Sequence, residues 1–523
     1  MAKLLKSHVC GAWHEGSGAA VAVFDPTTGE QLAEVNNTGL DFAAALQFAR
    51  ETGGPTLRAM TFAQRGELLA AIAGAWHEHR DELLALSTIS GGNTRGDAKF
   101  DIDGATGTLS AYAKMGSKLG DAKFLIDGGP IRLSRSPRFV GRHVQMPRAG
   151  VAIHINAFNF PAWGMAEKMA TAILGGMPVV TKPATSTAVL AERLIEIIID
   201  KDVVPPGVLS FICGSAGDML NYVTTQDIVA FTGSADTGCR IRSGAAVIKN
   251  SVRVNVEADS LNSAVLGSDV KRESETWDLF IREVCTDMTQ KAGQKCTAIR
   301  RIFVPEDKVD AVREDLIEAI SGIRVGNPAT RGVRMGPLAS KAQLEDIVAG
   351  IEELQSVADM VHGAVGAGDL MDTDAGTGYF QQPVLFQVKD TAAAGIVHER
   401  EVFGPVQTIL PYSGSADEVA ALMNQGDGGL VASIYTDKRD FAATLVMAVA
   451  PFNGRLNFGS KKVAEFSMGP GAVLPTLVHG GPGRAGSGEE LGGMRGLGLY
   501  MQRTALQGDE PMLARLLEDG AEV

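Results

Sequence analysis

Between positions 150 and 257, short apolar runs alternate with stretches whose apolar residues recur every three or four positions. The runs at 150–155, 177–182, 208–213, 228–231 and 252–257 read as buried strands. The stretches at 165–174, 188–199 and 235–246 carry the helical period, and 218–223 reads as a short helix. Such alternation predicts a parallel sheet with crossover helices. A second α/β set runs over about 261–458, with a helix at 275–292, a strand at 298–304 and a helix at 308–320. Upstream, 41–49 and 62–86 read as helices. Residues 20–35 read as short strands around the turn Asp25-Pro26-Thr27-Thr28-Gly29-Glu30. Two stretches break the pattern. In 132–144, Leu133, Phe139 and Val144 are mixed with Arg132, Arg135, Arg138, Arg142 and His143, and no acid occurs between Asp127 and Glu167. This predicts a β-hairpin or extended arm. The glycine-rich tail 479–498 reads as loop and edge structure. No internal repeat of fixed period is present.

Composition narrows this picture. With 523 residues, 45% hydrophobic and 21% charged, the chain has the length for two or more domains and the balance of a folded protein. A net charge of −13 argues against a nucleic-acid scaffold. No apolar stretch reaches membrane-spanning length, and the first residues hold no secretory apolar region, so the expected location is cytoplasmic, with no membrane partner. Five cysteines, an odd number with no CxxC spacing, support neither a disulfide framework nor a zinc site, and no metal is expected.

Five segments could carry chemistry. Cys296, in Gly293-Gln294-Lys295-Cys296, lies at a turn between a helix and a strand. A nucleophilic thiol needs a nearby base or a lowered pKa. Taken singly, a cysteine is more often inert core filling, and Cys10, Cys213, Cys239 and Cys285 are read so. Glu257 ends an apolar strand, where a carboxylate can act as general base, although a solvated loop acid is the commoner case. Asn159 follows a buried strand and precedes a helix, so it suits an oxyanion donor or, more plainly, a helix cap. Phe231-Thr232-Gly233-Ser234 is a strand, glycine turn and helix start that suits pyrophosphate, but it is not the dinucleotide fingerprint. Lys182, in Thr181-Lys182-Pro183-Ala184-Thr185, ends a strand near where a nucleotide ribose could lie.

Taken in order, Phe158-Asn159-Phe160-Pro161, Lys182-Pro183-Ala184, Phe231-Thr232-Gly233-Ser234, Glu257, Gly293-Gln294-Lys295-Cys296 and Glu401-Val402-Phe403-Gly404-Pro405 resemble the aldehyde dehydrogenase superfamily over about residues 20–500. The resemblance implies two Rossmann-like parallel-sheet domains plus a small β oligomerisation arm. It divides the chain into a dinucleotide-binding part (1–130 and 147–258), a catalytic part (259–474) and an arm with a C-terminal segment (131–146 and 475–523). It implies that Cys296 attacks an aldehyde, that Asn159 and the Cys296 backbone N–H hold the oxyanion, and that Glu257 activates water against the resulting thioester. Lys168 would relay or position protons. Its neighbour Glu167 reads better as a solvent ion pair. Ile155, Phe158, Lys182, Thr185, Gly214, Gly233, Ser234, Glu401 and Phe403 would line the cofactor.

Two positions sharpen the implied chemistry. NAD-preferring relatives often carry glutamate where this chain has Thr185, so the neutral side chain beside Lys182 predicts NADP over NAD. Relatives that pass the acyl group to coenzyme A generally lack a base at Glu257, so a free acid is expected. The tail at 479–486 departs from the commoner family ending and resembles the semialdehyde dehydrogenases of aerobic CoA-dependent aromatic degradation. That branch implies a CoA-linked substrate such as 3,4-dehydroadipyl-CoA semialdehyde, whose phosphates could meet Lys461-Lys462 or the arginines of 132–148. A homodimer is expected, possible pairing into a tetramer included. The competing readings are a CoA-acylating dehydrogenase, a Cys296-dependent thiol esterase that needs no nicotinamide, and a non-catalytic protein with this fold.

Overall fold

The strand Ala152–Ile155 sits where the chain changes direction across its first sheet. In the computed structural model, which describes residues 2–374, 376–391 and 393–523, this sheet has seven strands. Their spatial order is Arg253–Glu257, Ile228–Thr232, Ala152–Ile155, Val179–Lys182, Leu209–Phe211, Ser7–Val9 and Ala12–His14. The first five are parallel and the two N-terminal strands are antiparallel. From Ala152–Ile155 the chain steps outward through two neighbours on one side, then returns to fill the other. A crevice opens at such a reversal, beyond the carboxyl ends of the strands. The loops after Ile155, Thr232 and Glu257 therefore share one edge.

A second seven-stranded sheet is parallel except for its edge pair Ala358–His362 and Val384–Val388. Arg301–Pro305 and Ser263–Leu266 are at its centre, buried on both faces. The α/β class with two such sheets agrees with the expectation from sequence. A third, four-stranded sheet joins the hairpin Phe124–Arg132 and Phe139–Pro147 to the C-terminal strands Met501–Asp509 and Gly520–Glu522.

Several local expectations need correction. The tail 479–498 is loop and edge structure only in part: Val478–Gly481 pairs with Gly488–Leu491 as a two-stranded hairpin, but Met494–Tyr500 is a helix. Its glycines serve close packing. A Cβ on Gly454, in the neighbouring strand, would lie 1.6 Å from the Gly480 carbonyl oxygen. The 235–246 helix breaks at Gly244 into Ala235–Arg242 and Ala245–Lys249. The 275–292 helix stops at Thr289, because Lys291 and Ala292 turn left-handed (φ 55° and 52°). Cys213 and Cys285 are buried as read, but Cys10 and Cys239 are exposed. The pattern at 95–119 was not read as an element, yet Arg95–Leu119 is a 25-residue helix. It crosses Trp163–Leu174 so closely that a Cβ on Gly104 would lie 2.3 Å from the Trp163 ring. No helix among the described residues is long and apolar enough to cross a membrane.

Candidate active site

The thiol is delivered by an unusual turn. Lys291, Ala292 and Gly293 take consecutive left-handed conformations, which are costly for residues other than glycine and persist only when the surroundings enforce them. Here they do. Lys291 Nζ donates to Asn93 Oδ1 at 2.8 Å and lies 4.8 Å above the Phe160 ring. A Cβ on Gly293 would meet the Gly404 carbonyl oxygen at 2.2 Å. The Arg300 guanidinium donates to both the Gly404 and Gly293 carbonyls, at 2.8 and 3.0 Å. Asn262 Nδ2 donates to the Cys296 carbonyl at 2.8 Å. The turn is thus stapled to the 401–404 segment, and Cys296 is fixed at the base of the crevice.

Asn159 is not a helix cap. The helix Trp163–Leu174 begins after Ala162, and the free N–H of Trp163 is taken by the Asp101 carboxylate at 2.8 Å. The buried Asn159 amide lines the same cavity as Cys296, Glu257 and Lys168. This cavity is small, about 30 Å³, and is walled in part by Phe160, Trp163 and Val473. Cys296, Asn159 and Glu257 also line a larger cleft of about 810 Å³ on the first sheet's crevice. Cys296 therefore stands where two approaches meet.

A residue not singled out from sequence lies between thiol and carboxylate. His479 Nε2 is 3.3 Å from Glu257 Oε1 and 3.8 Å from Cys296 Sγ. One nitrogen carries at most one proton, so it cannot donate to both neighbours at once. Burial opposes charge on His479, but pairing with Glu257 raises its pKa. Burial likewise pushes the Glu257 carboxyl up, yet His479 and then Lys168 outweigh it and hold the group down to about 2. Burial and the adjacent Glu257 push the Cys296 thiol well up. Resting Cys296 is therefore a thiol facing a carboxylate.

Lys168 is buried and pairs with Glu490 at 3.1 Å and with Glu167 at 3.7 Å. Burial alone would discharge it, but the carboxylates keep it protonated. Glu490, also missed from sequence, accepts from Asn255 Nδ2 at 2.9 Å. The expectation of a solvent ion pair at Glu167 fails. This side chain is buried beside the cavity, and burial is the main cause that raises its carboxyl to about 8.

Of the residues expected at a cofactor, Phe158, Lys182, Gly233, Ser234, Glu401 and Phe403 line the 810 Å³ cleft. Ile155 stays partly buried in the sheet, paired in register with Lys182. Thr185 opens a short 3₁₀ turn after Lys182, and Gly214 packs on the Asn37 side chain; neither forms part of the cleft's lining. Ser234 caps Ala235–Arg242, its Oγ accepting from the Thr237 N–H. The Glu401 carboxylate accepts from the Ser260 N–H at 3.1 Å through one oxygen. Its other oxygen is buried without a hydrogen-bond donor, 3.5 Å from Arg300 Nε. An acceptor held this way suits a sugar hydroxyl, so the cleft fits a dinucleotide.

Comparison with known proteins places this geometry. The chain is 44% identical to the 3,4-dehydroadipyl-CoA semialdehyde dehydrogenase of Aromatoleum evansii, over 91% of this chain and 93% of that one. It is 28% identical to an NADP(+) succinate-semialdehyde dehydrogenase of Escherichia coli strain K12, over 81% and 84% of the two chains. The fold matches betaine aldehyde dehydrogenase of Staphylococcus aureus in complex with NAD+, with a TM-score of 0.83 at 24% identity over 97% and 95%. The model of the aldehyde dehydrogenase family matches residues 13–504, and the chain belongs to that family, an enzyme that oxidises aldehydes.

Proposed function

We propose that this enzyme oxidises a CoA-linked semialdehyde, 3,4-dehydroadipyl-CoA semialdehyde or a close analogue, to the free carboxylic acid, with NADP as acceptor in preference to NAD. The observation that carries the chemistry is the meeting of Cys296, Asn159 and Glu257 at the junction of the small cavity and the cleft. The substrate class rests on the 44% identity to a CoA-semialdehyde dehydrogenase.

In this reading Glu257 accepts the thiol proton, and Cys296 Sγ bonds to the aldehyde carbon to give a thiohemiacetal. The Asn159 amide and the Cys296 N–H donate to its oxyanion. Bound in the cleft, the nicotinamide supplies the hydride acceptor. Phe158, Gly233, Ser234, Lys182 and Glu401 hold and orient the cofactor, and Phe403 packs beside it. Loss of hydride leaves an acyl thioester on Cys296. Glu257 first gives up the thiol proton to solvent and then takes one from water; the hydroxide adds to the thioester carbon, Cys296 leaves as thiolate and recovers that proton from Glu257, and the acid departs. Lys168, with Glu167 and Glu490, positions charge at the buried end of the site and offers a path for the released proton. His479 holds Glu257 ionised.

The proximity of His479 to Cys296 favours one other reading, a thiol esterase that needs no dinucleotide. The 810 Å³ cleft and the Glu401 oxygen left without a hydrogen bond speak for the dehydrogenase. NADPH formation across a panel of aldehydes, including CoA-tethered semialdehydes, separates them. The dehydrogenase reading expects NADPH and free acid in equal amounts, independent of added CoA, and none from Cys296→Ala. Acyl-CoA formed from added CoA, or ester turnover without nucleotide at a comparable rate, would overturn it. The assembly we expect is a cytoplasmic homodimer, paired where conditions allow into a tetramer.

A further inference from the structure

The geometry points to a binding site for the phosphorylated end of the CoA moiety, reached from Cys296 on the side away from the 810 Å³ cleft. This rests on the CoA-linked reading above. The small cavity at the thiol, about 30 Å³, has room for about two waters. It admits a slim aldehyde terminus and nothing bulkier, so the rest of a CoA-linked substrate must lie beyond it. Gly471, in its wall, is also in the wall of an outer chamber of about 290 Å³. The wall is thin there, glycine backbone backed by the buried Lys295–Asp287 pair: a Cβ on Gly471 would lie 2.7 Å from Lys295 Nζ. The outer chamber shares Arg282, Thr286 and Gln290 with a wide cleft of about 1210 Å³. The three spaces thus adjoin through common walls, from the thiol to the surface.

Their chemistry follows the polarity of a pantetheine arm ending in a phosphorylated nucleotide. Phe100 lines the middle chamber together with the 467–472 segment, where Met468 is 72% exposed, and Phe466 just before it is 78% exposed. Large apolar side chains left in water beside a chamber mouth suit contact with a ligand. The wide cleft carries Arg95, Arg282, Arg331 and Arg334. Four guanidiniums face four carboxylates in this cleft, so in a chain of net charge −13 its lining is balanced rather than acidic. Asp315 is paired with Arg272, Asp97 is buried facing Lys291 and Arg95 is paired with Asp81, which leaves Asp278 and Glu318 to set against Arg282, Arg331 and Arg334. Arg331 and Arg334, on the exposed 330–334 turn, are free to meet phosphate oxygens bidentately. Neither Lys461-Lys462 nor the arginines of 132–148, the candidates read from sequence, line any of these three spaces.

The test compares kcat/KM for a CoA-tethered semialdehyde with that for a short free aldehyde, in the wild type and in Arg331→Glu/Arg334→Glu. The expected result is a fall of about tenfold or more in the ratio of the two, carried by KM for the CoA-tethered substrate, with the inhibition constant of free CoA rising in parallel. Lys461→Glu/Lys462→Glu serves as a second variant and should leave the ratio within about twofold. An unchanged ratio in the arginine variant, or a fall confined to the lysine variant, overturns the site. A wild type that does not prefer the CoA-tethered substrate overturns the CoA-linked reading itself, and the site with it.

Discussion

His479 and Glu257 form a buried pair in which each holds the other charged. Removal of the histidine cation takes away the main influence that keeps the Glu257 carboxyl near 2, and burial then drives it upward. Because Glu257 must be unprotonated to accept a proton, His479→Gln should move the acid limb of the kcat/KM profile to higher pH, while a merely structural loss would lower the whole profile without moving it. An unmoved limb would contradict the pairing. Thr185 lies outside the cleft's lining, three residues after Lys182, which is part of it; on the NADP reading Thr185→Glu should raise KM for NADP by about tenfold or more while NAD is little affected, since a carboxylate repels a 2′-phosphate. Steady-state kinetics with both cofactors decides this, and an unchanged NADP/NAD ratio would remove Thr185 from the account. Taken singly, Cys296, Glu257 and Asn159 favour an inert reading; the ordered set of segments picks them out, and the structure brings all three to one cavity. His479 was not legible in sequence: it lies 183 positions from Cys296, in a glycine-rich stretch with neither helical nor strand period. Glu490 and Glu167 were obscured for a related reason, since nothing local distinguishes a buried acid from a solvated one.

Where elements end decides where chemistry sits. The apolar period at 275–292 continues past Thr289, so periodicity alone could not reveal that the backbone reverses at Lys291. That reversal depends on contacts with Asn93 and Gly404, far away in sequence. Likewise the strands at 478–491 were hidden because glycines needed for backbone contact replace the alternation that marks a strand. The second sheet carries its own titratable weakness. His398, in the short turn Gly395–His398, accepts from Arg301 Nη1 at 2.9 Å. Burial, then Arg301, push its pKa down to about 4 from 6.5. Folding therefore favours the neutral ring, the unfolded chain binds the proton first, and stability falls as pH drops from about 6.5 toward 4. The thermal midpoint of His398→Asn should fall less between pH 7 and pH 5 than that of the wild type. An equal fall in both would assign the acid sensitivity elsewhere.

The alternation of strand and helix over 150–257 made the α/β architecture readable, since each crossover is local in sequence. Long-range features were less so, above all the sheet that joins 124–147 to the C-terminus. On one face of this arm Ile131 and Phe139 remain exposed, with Leu133 just beyond the strand end. An arm with such a face and an open edge strand is where the proposed dimer would form. Ile131→Glu/Phe139→Glu should convert the proposed dimer to monomer in light scattering at micromolar concentration, and a wild type that is itself monomeric would refute the assembly.

The convergence of thiol, amide and carboxylate beside the dinucleotide cleft is tested most directly by stopping the reaction between its halves. Glu257→Gln keeps the shape of the base but cannot take a proton from water. Mixed with NADP and a CoA-tethered semialdehyde, it should acylate slowly, for want of the base at the thiol, and then stop: at most one NADPH per site is released, and the mass of one acyl group is gained on Cys296, located by peptide mass spectrometry. Steady turnover at the wild-type rate, or an adduct on any other residue, would contradict the account.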